Sequence, residues 1–208
     1  PAEKEGHSEL LLFAKNLKGY QQLMQLSSSK MTTEGPFYLA EHQSLLSDLF
    51  AVTLSAKGEV AQTFFEDEQQ AVHAFQQLAS YFDPQSLFVE HSFSMNQQRN
   101  PALFSFYQRE QLPGVALQEV RHLTKEEGFA VTVLESIKEN NQLNITSQTP
   151  EIEGLNYLRE AETTMEQMLQ IAGAEVVQNT IQLAGNCRVD IPLHQKLLPH
   201  FPVLANQT

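Results

Sequence analysis

The side chains that could do chemistry in this chain concentrate in the stretch Leu112 to Ile137, LPGVALQEVRHLTKEEGFAVTVLESI. A short apolar run at Val115 and Ala116 is followed by Gln118, Glu119, Arg121 and His122, and then by a helix starting at Lys125. Ionised carboxylates and neutral imidazoles donate electron pairs to cations or relay protons, whereas a guanidinium only donates hydrogen bonds. Alternation along an extended strand places Glu119 and Arg121 on one face, and Gln118, Val120 and His122 on the other. The first pair is therefore expected to form a salt bridge. A second acidic strand end is Glu90, four residues before Ser94. His91, next to Glu90, points to the opposite face and is not expected in the same pocket.

The remaining candidates have plainer readings. His42 and His73 lie on polar helical stretches and are expected to be solvated. Asp190 and His194 are separated by Pro192, which rules out a regular helix between them, and His200 has no acidic neighbour. No His-x-His, His-Glu-x-x-His, Walker loop, Gly-x-Gly-x-x-Gly or Gly-x-Ser-x-Gly occurs. Cys187 closes an apolar helix face and reads as a buried, inert thiol. The phenylalanines fall at core positions and read as packing rather than as a base-stacking surface.

The elements that must hold these groups follow from periodicity. Apolar runs at Glu9–Ala14, Phe50–Ser55 and Leu87–His91 have strand length and suit strands covered on both faces. Asn16 is a candidate N-cap for a helix carrying Leu17, Tyr20, Leu23 and Met24, ended by Ser27-Ser28-Ser29. A loop at Lys30–Tyr38 and a short helix at Glu41–Asp48 lead to the second strand. Helices follow at Glu59–Glu66 and after an Asp67/Gln70 capping box, the second one turning Ala71, Val72, Phe75, Leu78, Ala79 and Phe82 inward. Asn100–Glu110 is a further helix, with Leu103, Phe104 and Tyr107 inward. Phe129, Ala130, Val133, Leu134 and Ile137 recur at helical spacing after the polar tip. Strand-then-helix repetition predicts parallel strands with helical crossovers. Asn140–Glu153 reads as a loop, followed by helices at Glu160–Ala172 and Ala174–Cys187, the last facing inward through Val177, Ile181 and Ala184.

Composition sets outer limits. With 208 residues the chain can bury a sizeable core. It opens on Pro1 without a basic and apolar leader, and no apolar run reaches transmembrane length. A single cysteine excludes an internal disulfide and fits a reducing cytoplasmic setting. A formal charge of −12 disfavours gripping a phosphate backbone directly.

Several passages resemble the PHP (polymerase and histidinol phosphatase) domain of bacterial DNA polymerase III alpha subunits of the DnaE type. LLLFAKNLKGYQQLMQLSS, Leu10 to Ser28, is similar to that family's L-L-L-L-A-K-N-x-x-G-Y strand-helix pair. NTIQLAGNCRVDI, Asn179 to Ile191, and LLPHFPV, Leu197 to Val203, resemble its later passages. The resemblance implies an α/β fold, a distorted (β/α)7 TIM-like barrel with its first strands missing. Residues 1–138 would be the partial barrel, and residues 139–208 a helical extension towards the palm. In that family strand ends carry His, Asp and Glu ligands for divalent metals. Glu90 matches a family Glu, Ser94 stands where His is common, and Glu119 and Arg121 stand for Asp and His. The pocket Glu90, Ser94, Glu119, Arg121 is therefore expected to be degenerate, with no catalytic or metal-ligating residue and no cofactor in this piece. The parent protein would be a DNA-directed DNA polymerase, a nucleotidyltransferase using Mg2+ in DNA replication. Expected partners are the rest of the alpha subunit, a proofreading exonuclease subunit, and DNA through other domains; no membrane is implied. The alternative is an active metal-dependent phosphoesterase, a 3′-5′ exonuclease or pyrophosphatase.

Overall fold

A computed structural model describes residues 8–92, 101–138, 140 and 156–193. Four strands form one sheet in the order β1 (Leu10–Ala14), β2 (Leu49–Thr53), β3 (Leu87–Ser92), β4 (Gly114–Leu117). The helices are α1 (Leu17–Thr32), α2 (Glu59–Phe64), α3 (Glu68–Ala79), α4 (Pro101–Arg109), α5 (Gly128–Lys138), α6 (Ala161–Ala172) and α7 (Ala174–Asn186). The strand-helix alternation yields parallel pairing for β2–β3 and β3–β4.

β1 departs from that expectation, since it runs antiparallel to β2 with Leu10 opposite Thr53 and Ala14 opposite Leu49. The connection explains the reversal. α1 carries the chain away from the end of β1, and the loop and 3-10 turn at Leu39–Leu45 bring it back to the same end of the sheet. A crossover with one outward and one returning arm restarts beside the strand it left. Phe37, Leu39 and Leu45 hold the returning arm against Leu26, Leu49 and Leu78.

Capping and packing fix α1 more closely than the serine run suggests. Asn16 caps it by accepting from the Gly19 N–H at 3.0 Å, and the helix continues through the serines to Thr32. Its buried face is Gly19, Gln22 and Leu26, while Tyr20 and Met24 are exposed. A Cβ at Gly19 would overlap the Asp48 carbonyl oxygen, so glycine lets the helix lie directly on the β1–β2 end. Gln22 is buried because its amide serves the same turn, donating to Ser47 Oγ and accepting from the Asp48 N–H. Asp67 caps α3 through the N–H groups of Gln69 and Gln70. The Gln70 side chain reaches Asp67 Oδ2, not its backbone, so the second arm of a capping box is replaced by a side-chain bond.

The two sheet faces bury different sets. On one, α2, α3 and α4 enclose Val60, Ala61, Ala71, Val89, Leu103, Phe106 and Tyr107, and the β1–β2 end adds Leu26, Leu49, Ala51 and Leu87. On the other, Phe50, Val52, Phe88 and Val115 pack with Leu183 of α7. α7 does not use the face that its apolar spacing predicts: Val176 and Leu183 are buried, whereas Ile181 is 56% exposed. The reason lies between them. Thr180 Oγ1 accepts from the Ala116 N–H at 2.8 Å, and Asn179 Nδ2 donates to the Gly114 carbonyl at 3.1 Å. Polar residues face inward here because β4 ends the sheet and its outer backbone groups need partners.

α5 also departs from expectation. Its apolar residues do not form a core face: Phe129, Leu134 and Ile137 are 53%, 65% and 69% exposed. Among the described residues, no helix is long and apolar enough to cross a membrane.

Candidate functional site

Parallel strands bring their carboxyl ends together, and in this sheet β2, β3 and β4 deliver Ser55, Glu90 and the Gln118–His122 tip to one end. Glu90, on β3, accepts both the N–H and the hydroxyl of Ser55 on a single oxygen, Oε2, each at 2.8 Å. Its carboxylate thereby holds the turn that leaves β2. Gly58 closes that turn, its N–H bonded to the Leu54 carbonyl.

His91 points the other way, as strand alternation requires. It is 3% exposed and lies edge-on to Phe104 and Tyr107. A Cβ at Gly114 would overlap its ring, so only glycine lets β4 pair at that point. Nδ1 of His91 and the hydroxyl of Tyr107 are buried and find no hydrogen-bond partner among the described residues. Desolvation lowers the His91 pKa to about 4. Burial, with the Glu90 carboxylate adding, pushes Tyr107 above its ordinary value.

The β4 tip is shorter than the apolar and polar pattern suggests. The strand ends at Leu117, so Glu119 and Arg121 lie beyond it. They are nevertheless joined, Arg121 Nε to Glu119 Oε1 at 2.8 Å, with side chains 42% and 63% exposed. This ion pair faces solvent, where such pairs contribute little to stability. Ser94 falls outside the described residues, as do His194, His200 and the Leu197–Val203 passage.

The tip has a partner that the sequence did not reveal. Arg121 N–H donates to the Asn156 carbonyl at 2.8 Å, Leu158 N–H to the His122 carbonyl at 3.0 Å, and Gln118 Nε2 to the Tyr157 carbonyl at 2.7 Å. His122 is buried and bridges Tyr157 in parallel fashion. Its Nδ1 lies 2.6 Å from the Thr124 carbonyl, which fixes the ring against its own loop. Thr124 then opens α5's leading turn with a capping box, Glu127 accepting from the Leu123 and Thr124 N–H groups. Those bonds hold the Glu127 carboxyl below its usual range. The only signal for the 156–159 contact was the break in strand-helix alternation after Lys138, and that break names no partner.

Elsewhere, His73 is exposed, and His42 is half-buried and stacked on Phe37 at 4.5 Å. Cys187 is half-buried, with its thiol pKa raised by desolvation. Among the described residues, no three His, Cys, Asp or Glu side chains converge as a metal cage would require. Glu90 has one oxygen occupied by two donors, and Arg121 has no lone pair to offer. The described residues thus do not fit a metal cluster.

Residues 2–92 match the PHP domain family. Relatives are DNA polymerase III alpha subunits: 27% identity with that of Bacillus subtilis over 93% of this chain, 28% with Thermus aquaticus over 98%, and 24% with Pseudomonas aeruginosa over 94%. The chain spans only 17–18% of the length of these proteins. The parallel strands, the tip residues and this agreement along the sequence lead to one conclusion: the chain is similar to DNA polymerase III alpha subunits over nearly all of its own length, and its residues 2–92 are similar to the PHP domain family.

Proposed function

We propose that this chain acts as a degenerate PHP domain of a replicative polymerase alpha subunit, a structural and docking module with no phosphoester chemistry of its own. The observation that carries the proposal is the Arg121–Glu119 ion pair at the β4 tip, in a chain similar to alpha subunits. The guanidinium neutralises an acidic group without offering a ligand atom. Glu90 is committed to the Ser55 turn, a structural use of a carboxylate at a strand end. In this reading the four-stranded sheet belongs to a TIM-like barrel. Template, nucleoside triphosphates and Mg2+ are handled by other parts of the polymerase, and the partners are those parts and a proofreading exonuclease subunit. The charge of −12 fits a module that leaves DNA to its neighbours.

Calorimetric titration with Mn2+, run on the chain and on Arg121→His, tests this. The expected result is no tight site in either protein and no hydrolysis of a phosphodiester probe. Tight uptake of several ions by the unaltered chain, with hydrolysis, would establish the metal-dependent phosphoesterase reading instead.

A further inference from the structure

α7 carries an apolar stripe that the core does not use. Val177, Ile181 and Ala184 recur at helical spacing, yet Ile181 faces solvent because α7 turns Asn179 and Thr180 to β4 instead. The neighbouring α6 does the same, burying Met168 and Ala172 and leaving Met165 and Leu169 exposed. Between the two helices and the end of β4 lies a cleft of about 310 Å3, with Leu117, Met168 and Val177 in its lining and the exposed Met165 and Ile181 at its rim. Ligand pockets run from roughly 300 to 1,000 Å3, so this cleft takes a few side chains rather than a folded surface. Glu162 and Glu166 stand three and four residues from Met165 and Leu169, on the same exposed strip of α6. Neither carboxylate is taken up by a cation among the described residues. Arg159 also lines the cleft, but it donates to the Gln167 amide and lies over the Tyr157 ring. The charge offered at the rim is therefore that of the two glutamates.

We propose that the chain's own segment 194–208, HQKLLPHFPVLANQT, which lies outside the described residues, docks in this cleft. Its chemistry complements the surface. It contains no Asp or Glu in a chain of net charge −12, and Lys196 directly precedes an apolar run that includes Leu197, Leu198 and Phe201. A cation beside apolar side chains meets Glu162 and Glu166 beside Met165 and Leu169. Its backbone suits a slot. Pro199 and Pro202 exclude a helix and push Leu198 and Phe201 to extended conformations. Leu198, Phe201 and Leu204 recur every third residue, the period of polyproline II, so in that conformation they share one edge. Its tether is long enough. From the end of α7 at Asn186, Ile181 lies only about 8 Å back along the helix, whereas the chain from Asn186 to Leu198 reaches about 40 Å when extended. Tethering holds the segment at an effective concentration on the order of millimolar, so a weak contact suffices. That advantage singles out the chain's own segment over a second copy.

The test is methyl NMR on the full 208-residue chain. Nuclear Overhauser contacts from the Phe201 ring to the methyl groups of Ile181 or Met165 are expected, and they persist unchanged on dilution. Phe201→Ser shifts those methyl resonances, while the buried Val52 and Val89 keep theirs and report a folded variant. Ile181→Glu, at an exposed position, speeds tryptic cleavage after Lys196 by about tenfold, the loss of a contact of about 1.4 kcal/mol. Absence of the Phe201 contacts overturns the proposal. Contacts that fade on dilution do so as well, since they would come from a second copy. A cleavage rate after Lys196 that is unchanged in a folded Ile181→Glu variant has the same consequence.

Discussion

His91 shows how much can turn on one ring. It sits in a strand where an apolar residue would cost less, between Phe104 and Tyr107, over a glycine that makes room for it. Neutral imidazole is tolerated there, and imidazolium is not, since burial lowers its pKa to about 4. The unfolded chain takes up this proton near pH 6.5 and the folded protein only near 4, so the unfolded state binds more protons between those values. His91 therefore leaves stability intact above about pH 6.5 and removes it progressively as the pH falls towards 4. The integrated effect is of order 3 kcal/mol. Urea midpoints measured across this range should fall for the natural chain and stay flatter for His91→Phe. Equal slopes would mean that the ring gains water or a partner on protonation. Asp48 adds a separate, more acidic loss: bonds from Asn16 and Lys18 lower its pKa from 3.8 to about 2, so its contribution disappears only between those values.

Among the elements, α7 is the informative case, both for prediction and for what a sequence conceals. Thr180→Val keeps the shape of the side chain but leaves the Ala116 N–H facing a methyl group. A loss of about 1–3 kcal/mol is expected from an orphaned backbone donor, measured by chemical denaturation. An effect no larger than that of an exposed threonine would show that water reaches the edge. The existence of α7, like that of β1, β2, β3, α3 and α4, is legible from periodicity and caps. Its orientation is not, because the inward face is chosen by two polar residues that serve another element's backbone. The same reason hides the inward Gln22 of α1. The antiparallel β1 is hidden differently, as no local pattern records that a crossover doubles back. At the candidate site, the Glu119–Arg121 contact is legible because only one residue separates the two. The seam with residues 156–158 is not, because it is carried mainly by backbone bonds that most side chains would allow, with the Gln118 amide adding one.

For the molecule as a whole, Lys15 is the residue that ties most parts together. Its ammonium donates to the Ser47 carbonyl, to Ser86 Oγ at 2.8 Å and to Asp83 at 3.2 Å, and it lies 4.9 Å from the centre of the Phe50 ring. The side chain is 19% exposed, so these bonds form with much of the water removed. Lys15→Met keeps the stem and removes the head, leaving Ser47, Ser86 and Asp83 to find water at the lower end of three strands. A loss of about 2–4 kcal/mol is expected from the thermal or urea transition, more than for a surface pair such as Lys57 with Glu9. A change below about 0.5 kcal/mol, the range of ordinary surface substitutions, would show that Lys15 is only decorating the sheet end.

The dependence of β4 on α7 also sets an order in time. The groups that complete the β4 edge lie 64 and 65 residues further along the chain. During synthesis the four strands emerge long before Asn179 and Thr180, and the outer edge of β4 lacks these two partners until α7 arrives. α7 is thus the cover that ends the exposure of the β4 edge. A ribosome that pauses before residue 179 would prolong the interval in which neighbouring nascent chains can join edge to edge.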